Sequence, residues 1–299
     1  MNDSAVLTGV ALWWSGARPR TLVAAIVPVA VGTAAAVGEN ADTQWWRAGA
    51  ALVVALALQV GVNYANDYSD GIRGTDGSDR TGPLRLVGSG LVSAQLVKRA
   101  AIGAFAVAGV FGALLALVVG PELFAVGICC LIAGWTYTGG PRPYGYRGLG
   151  EVFVFVFFGL VATIGTNYVL SEELDGLAAS AGAVVGLWAT ALLVINNLRD
   201  IPGDTASGKI TLAVRLGDAR TRRLFVVMQV LAMVVAVLIT ITTGRFAVAA
   251  LVGLPFALQA IRPVRRKAVG SELVAVLGAT GRVQLIAGLG MAVGIALSG

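Results

Sequence analysis

Nine long runs of apolar residues separated by polar stretches organise this chain: 21–38, 47–65, 100–119, 121–138, 150–170, 177–198, 224–243, 246–261 and 280–298. The runs are continuous and lack the apolar/polar alternation of a half-buried strand. A hydrocarbon layer about 30 Å thick is crossed by about 20 helical residues. The pattern therefore predicts an all-α polytopic membrane protein of nine transmembrane helices around a central cavity. Residues 5–15 (AVLTGVALWWS) are apolar but too short to span. With Trp13 and Trp14 at their end, they predict a helix lying in the membrane interface. The start has neither a basic leader nor an A-x-A cleavage site, so it does not read as a signal peptide.

Charge orients the predicted helices. With the N-terminus inside and nine crossings, every basic residue except Arg47 and Arg245 falls on the inner side. Glu39, Asp42, Glu122, Glu172, Glu173 and Asp175 decorate the outer loops. This asymmetry predicts N-in/C-out topology in the cell membrane, with the active face toward the cytoplasm. It also explains a net charge of +6 without a nucleic-acid partner. Two inner segments, 66–99 and 199–223, are long and polar without being low-complexity, which predicts functional cytoplasmic caps. Residues 1–299 then form one integral-membrane domain. With 57% hydrophobic and 13% charged residues and a mean hydropathy of +0.82, disorder, a coiled coil and an ordinary soluble enzyme are excluded. The 40 glycines suit closely packed membrane helices.

The chain contains no histidine, and its two cysteines, Cys129 and Cys130, are adjacent within an apolar run. Imidazole bases and His-ligated metals are therefore excluded. Any metal would be held by carboxylate and amide oxygens, which favours a hard ion, Mg²⁺ first. Two stretches carry such groups. The second apolar run leads into Asn63-Tyr64-Ala65-Asn66-Asp67-Tyr68-Ser69-Asp70, with Asp76 and Asp79 beyond. The sixth leads into Asn196-Asn197-Leu198-Arg199-Asp200-Ile201-Pro202-Gly203-Asp204. Each holds an Asn-x-x-x-Asp pair, Asn66 with Asp70 and Asn196 with Asp200, spaced to share one helix face. Pro202 is expected to break the helix before Asp204. Both stretches leave the apolar region on the same side, and a carboxylate in hydrocarbon costs at least about 2.5–3.5 kcal/mol, so matched clusters imply a counter-ion. Basic residues sit nearby in the chain: Arg73, Arg80 and Arg85, then Arg142 and Arg147, then Lys209 and Arg215. Carboxylates and cations together suit a Mg²⁺–diphosphate better than a bare cation. Each basic residue is equally explained by the inside bias.

These residues resemble the intramembrane aromatic prenyltransferase (UbiA) superfamily. The match is carried by N-D-x-x-D-(x)5-D at Asn66, Asp67, Asp70 and Asp76, and D-x-x-x-D at Asp200 and Asp204. It covers about residues 15–298. Stretches 17–22 (ARPRTL), 82–93 (GPLRLVGSGLVS), 137–141 (YTGGP) and 208–217 (GKITLAVRLG) resemble the branch that prenylates 1,4-dihydroxy-2-naphthoate. The five-residue gap between Asp70 and Asp76 departs from the simplest aspartate-rich pattern. The resemblance implies Mg²⁺ on Asn66, Asp67, Asp70, Asp76, Asp200 and Asp204, and an allylic polyprenyl diphosphate on Asn63, Arg73, Arg142, Arg147, Asn197 and Lys209. Asp70, Asp200, Lys209 and Tyr137 would be catalytic, and Arg20 and Tyr144 would receive the aromatic acceptor. Phe153, Phe155, Phe157 and Phe158 either line a prenyl groove or face lipid. Rival acceptors are 4-hydroxybenzoate, haem and a phosphoribosyl donor. A cation-coupled transporter is the rival of another class, and clusters at helix ends on one side argue against it.

Overall fold

Apolar side chains and hydrocarbon offer no partners to backbone N–H and C=O groups, so a chain of this composition satisfies them within helices. The structure, a computed structural model, describes residues 9–37, 43–74 and 84–299. Among these residues every regular element is helical: α1 (Gly9–Ala17), α2 (Val23–Val37), α3 (Trp45–Arg73), α4 (Ala94–Val118), α5 (Glu122–Thr136), α6 (Gly150–Val154), α7 (Ala162–Ser171), α8 (Gly176–Ala206), α9 (Leu212–Thr243), α10 (Leu254–Arg265) and α11 (Ser271–Leu297). A π-helical stretch, Phe155–Val161, joins α6 to α7, and a 3-10 stretch, Ala247–Gly253, leads into α10.

Among the described residues seven helices are long and apolar enough to cross a membrane, and α1 with α2, bent by 53°, forms an eighth candidate. The remaining predicted span, 121–138, is α5, whose 15 residues reach about 22 Å, short of a full crossing. Large hydrophobics exposed along α4 (Val110, Leu117) and α9 (Val227, Ile241) give the bundle a lipid-facing surface. The protein is a multi-span membrane protein.

The expected elements recur in order, but their inner ends differ. α3 continues to Arg73 and α8 to Ala206, so both Asn/Asp motifs are helical rather than looped. Pro202 lies within α8 and does not end it. Residues 94–99 belong to α4 and 212–223 to α9, which shrinks both predicted caps. α9 turns sharply at Gly217 (φ 72°, ψ 170°), a conformation that glycine adopts without strain. Trp13 packs edge-on against Tyr64, whose hydroxyl donates to the Trp13 carbonyl.

Two packed groups flank the centre. One cluster gathers α2, α8, α9, α10 and α11 around Trp188, Val283 and Met291. The other gathers α1, α3 and α4 around Tyr64 and Leu86. The π-helical stretch approaches α8 closely where Gly159 faces Gly186 and Gly182. That contact seats Phe155 against Gly186 and leaves Phe153, Phe157 and Phe158 to line the space between the groups.

Candidate active site

A cavity of about 590 Å³ opens between these groups. One end of its lining is polar. Asn66 and Asp70 come from α3 and Asn196 and Asp200 from α8, so both Asn/Asp pairs face the same space. Five cationic residues share that lining, Arg18, Arg20, Arg85, Arg199 and Lys209, against the two carboxylates. The excess of positive charge suits a polyanion. The rest of the wall is apolar. A second cavity of about 210 Å³ between α3, α4, α5 and α7 shares Ala55, Leu58, Cys130, Phe157 and Ala162 with the first, which extends the apolar surface along the bundle.

Asp70 is 4% exposed. One oxygen accepts from the Tyr146 hydroxyl at 2.6 Å, and the other lies 3.5 Å from Arg85 Nη2. Asn66 Oδ1 accepts from Thr138 Oγ1 at 2.7 Å. Across the cavity, Arg199 holds Asp200 with two hydrogen bonds, Nε to Oδ1 at 2.7 Å and Nη2 to Oδ2 at 2.8 Å. Asn196 Nδ2 donates to the same carboxylate at 3.4 Å. Lys209 Nζ stands 3.6 Å from Asp204 Oδ1, and its backbone N–H donates to the Asp204 carbonyl.

Other expected site residues are placed differently. Asp67 points away from the cavity, and its two oxygens accept from the backbone N–H groups of Leu86 at 2.8 Å and Val87 at 2.9 Å. It anchors the segment that delivers Arg85. Asp204 is buried against Lys209 and Thr211 and does not line the cavity. Asp76 lies outside the described residues. Asn63 reaches the cavity, but its amide is engaged: Nδ2 donates to the Ala17 carbonyl and Thr21 Oγ1, and Oδ1 accepts from Gln59. This network ties α3 to the bend between α1 and α2 and so positions Arg18 and Arg20. Asn197 Nδ2 donates to the buried Glu151 carboxylate at 2.9 Å, linking α8 to α6. Arg73 leaves the cavity to donate to the Thr138 and Gly140 carbonyls. Arg142 and Arg147 are exposed and outside the cavity wall. Arg20 is exposed at its mouth. Tyr137 and Tyr144 both line it with ring centroids 5.4 Å apart, and Tyr144 stacks on Phe153 at 3.9 Å. Burial pushes the Tyr144 phenol well above its ordinary value, so it stays neutral.

Tyr146 also reaches this site, although no sequence motif contains it. Its hydroxyl binds Asp70. Its ring lies 5.2 Å from the Arg73 guanidinium and 5.0 Å from Lys209 Nζ, and its carbonyl accepts from Ile210 N. One side chain thus joins both motif regions, with cation–π contacts on its ring. The only signal in the sequence is a second tyrosine in the short 139–149 loop. Removing the hydroxyl while keeping the ring, as in Tyr146→Phe, is expected to lower kcat about tenfold, the worth of a hydrogen bond to a charged group. Steady-state kinetics checks this, and an unchanged kcat would remove Tyr146 from the site.

The donor set fits a hard divalent cation. Asp70, Asp200 and the Asn66 and Asn196 amides could supply oxygen ligands, and among the described lining residues Cys130, on the apolar wall, is the only soft one. Among the described residues no group of three or more His, Cys, Asp or Glu side chains is poised to cage a metal alone. Mg²⁺ typically binds in this manner, through one or two carboxylates completed by substrate phosphates and water.

Comparison with known proteins shows the family and the fold. The model of the UbiA prenyltransferase family matches residues 25–292. A 1,4-dihydroxy-2-naphthoate octaprenyltransferase of Mycobacterium tuberculosis is 49% identical over 286 residues, covering 96% of this chain and 97% of that protein. The Escherichia coli protein of that name is 40% identical over 224 residues, covering 71% of this chain and 70% of its own. Among solved structures, a UbiA homolog from Archaeoglobus fulgidus bound to GPP and Mg²⁺ shares the fold, with a TM-score of 0.67 at 13% identity, covering 94% of this chain and 99% of that one.

Proposed function

Since the chain belongs to the UbiA prenyltransferase family, we propose that it transfers a polyprenyl group from an allylic diphosphate to 1,4-dihydroxy-2-naphthoate, with loss of CO₂ and diphosphate, to form the hydroquinone of demethylmenaquinone. The observation that carries this reading is the convergence of two Asn/Asp pairs and five cations on one end of a cavity whose other end is apolar. The relatives named for this acceptor supply the substrate. The protein would sit in the cell membrane as one domain, N-in and C-out, with this polar end toward the cytoplasm and α5 as a short ninth crossing over which the bilayer thins.

In this reading Asn66, Asp70, Asn196 and Asp200 would hold Mg²⁺, which when bound would supply Lewis-acid stabilisation of the diphosphate. Asp67 orders the segment carrying Arg85, and Asp204 presents Lys209, so both serve the metal–diphosphate site from behind it. Asn63 and Asn197 act likewise by fixing α1 and α6. Arg85 and Lys209 neutralise the diphosphate as its C–O bond breaks, and Arg73 steadies Tyr146. Such preorganised charge is usually the largest catalytic contribution. Tyr137 and Tyr144 offer ring faces to the allylic cation. Arg20, at the cavity mouth, pairs with the acceptor carboxylate. The cation bonds to the ring carbon that bears this carboxylate. Breaking the bond to CO₂ returns the electron pair to the ring, so no carbon-bound proton needs a base, as suits a chain without histidine.

The test offers detergent-purified protein a polyprenyl diphosphate and equal amounts of 1,4-dihydroxy-2-naphthoate and 4-hydroxybenzoate, with Mg²⁺ or EDTA. Decarboxylated prenyl-naphthohydroquinone, recovered as its quinone after air oxidation and formed only with Mg²⁺, is the expected product. Prenylated hydroxybenzoate would overturn the acceptor, and turnover in EDTA would overturn the role of the metal.

A further inference from the structure

Arg199 occupies a position that topology alone does not explain. Its side chain is 2% exposed. Through Nε and Nη2 it covers both oxygens of Asp200, at 2.7 and 2.8 Å, and Nη2 also reaches Asn196 Oδ1 at 2.8 Å. Its remaining nitrogen, Nη1, is buried without a hydrogen-bond partner, on a residue that lines the cavity. A buried guanidinium nitrogen left without an acceptor is costly. These are also the oxygens through which the second Asn/Asp pair would ligate a metal. A bidentate guanidinium and a divalent cation make competing claims on one carboxylate.

We infer that Arg199 is a built-in competitor of the metal: the divalent cation displaces its guanidinium from Asp200, and a diphosphate oxygen of the prenyl substrate then accepts from it. This rests on the proposed reading that Asp200 and Asn196 ligate Mg²⁺. The consequence is coupling. Metal alone must strip Arg199 of its partners and leave a buried charge unpaired. Metal with diphosphate gives the guanidinium a new acceptor, so each ligand tightens the other, reciprocally. The device would limit occupancy of the acidic pair by cations in the absence of the prenyl substrate.

Mn²⁺ binding to the full chain, followed by electron paramagnetic resonance with and without geranyl S-thiolodiphosphate, tests this without turnover. In the natural protein the analogue is expected to tighten Mn²⁺ at least tenfold. In Arg199→Gln, Mn²⁺ alone should bind about tenfold more tightly than in the natural protein, and the analogue should add less. Arg199→Lys, which cannot span both Asp200 oxygens and Asn196, should fall between the two and serves if the glutamine variant does not fold. Unchanged or weaker Mn²⁺ binding by the variants would overturn the role of Arg199. Failure of the natural protein to bind Mn²⁺ under either condition would instead overturn the metal reading beneath it.

Discussion

Asp70→Ala and Asp200→Ala are each expected to lower prenyl-transfer turnover about 10³-fold, the upper range for removing one preorganised electrostatic group. Both carboxylates face the cavity, so each loss strikes the end where diphosphate charge must be balanced. The two variants should differ in stability. Asp200→Ala leaves the 2%-exposed Arg199 guanidinium without its carboxylate, and a buried charge stripped of its partner typically costs about 3–5 kcal/mol. Asp70→Ala strands less, since Arg85 lies at 3.5 Å and the Tyr146 hydroxyl is neutral. Turnover measured beside thermal melting in detergent separates the effects. Activity within tenfold of the natural protein in either well-folded variant would place the chemistry elsewhere.

The second large effect concerns the scaffold. Gly159→Val is expected to lower the melting temperature by about 10 °C or to prevent recovery of folded protein. A Cβ on Gly159 would fall 2.8 Å from both Gly182 O and Gly186 N, on the backbone of α8, and a rigid helix backbone cannot give way as a side-chain tip does. Overpacking of this kind costs about 1–3 kcal/mol or more, and a branched residue extends the clash. Gly103→Ala provides the contrast. No atom lies within 4 Å of its added Cβ, and alanine gains about 1 kcal/mol in helix propensity. Thermal melts of both variants check this, and equal melting temperatures would mean that the crossing of α8 with the π-helical stretch is not tight.

The apolar runs made the helical class and the order of elements legible, because hydrocarbon leaves the backbone little choice. Element ends were not legible there. Asn66, Asp70 and Arg73 read as loop by polarity, yet α3 carries them as helix because Thr138, Tyr146 and backbone carbonyls of another segment satisfy them. The Asn-x-x-x-Asp spacing did foretell which side chains share a face, since it depends only on helical period. Asp67 shows the limit of motif reading: one position after Asn66 it is turned about 100° around the helix and meets Leu86 and Val87 instead of the cavity. Tyr146 and Arg199 were overlooked for opposite reasons. Tyr146 works through contacts 76 residues distant in the chain, which no local pattern encodes. Arg199 was hidden by topology, since the inside bias accounts for a basic residue at that helix end without any further role.

The shared apolar lining of the two cavities bears on how the rate should be described. On the proposed reading, a prenyl tail lying among Ala55, Leu58, Phe157 and Ala162 would pass from hydrocarbon to protein and back, with little net apolar surface transferred from water. The hydrophobic effect, which rewards removal from water, then contributes little to holding the tail, and affinity falls to the charged head. The governing concentration is the mole fraction of prenyl diphosphate in the surrounding lipid or detergent. Adding more detergent at constant substrate dilutes that surface fraction and slows the reaction, although neither the protein nor the bulk concentration has changed.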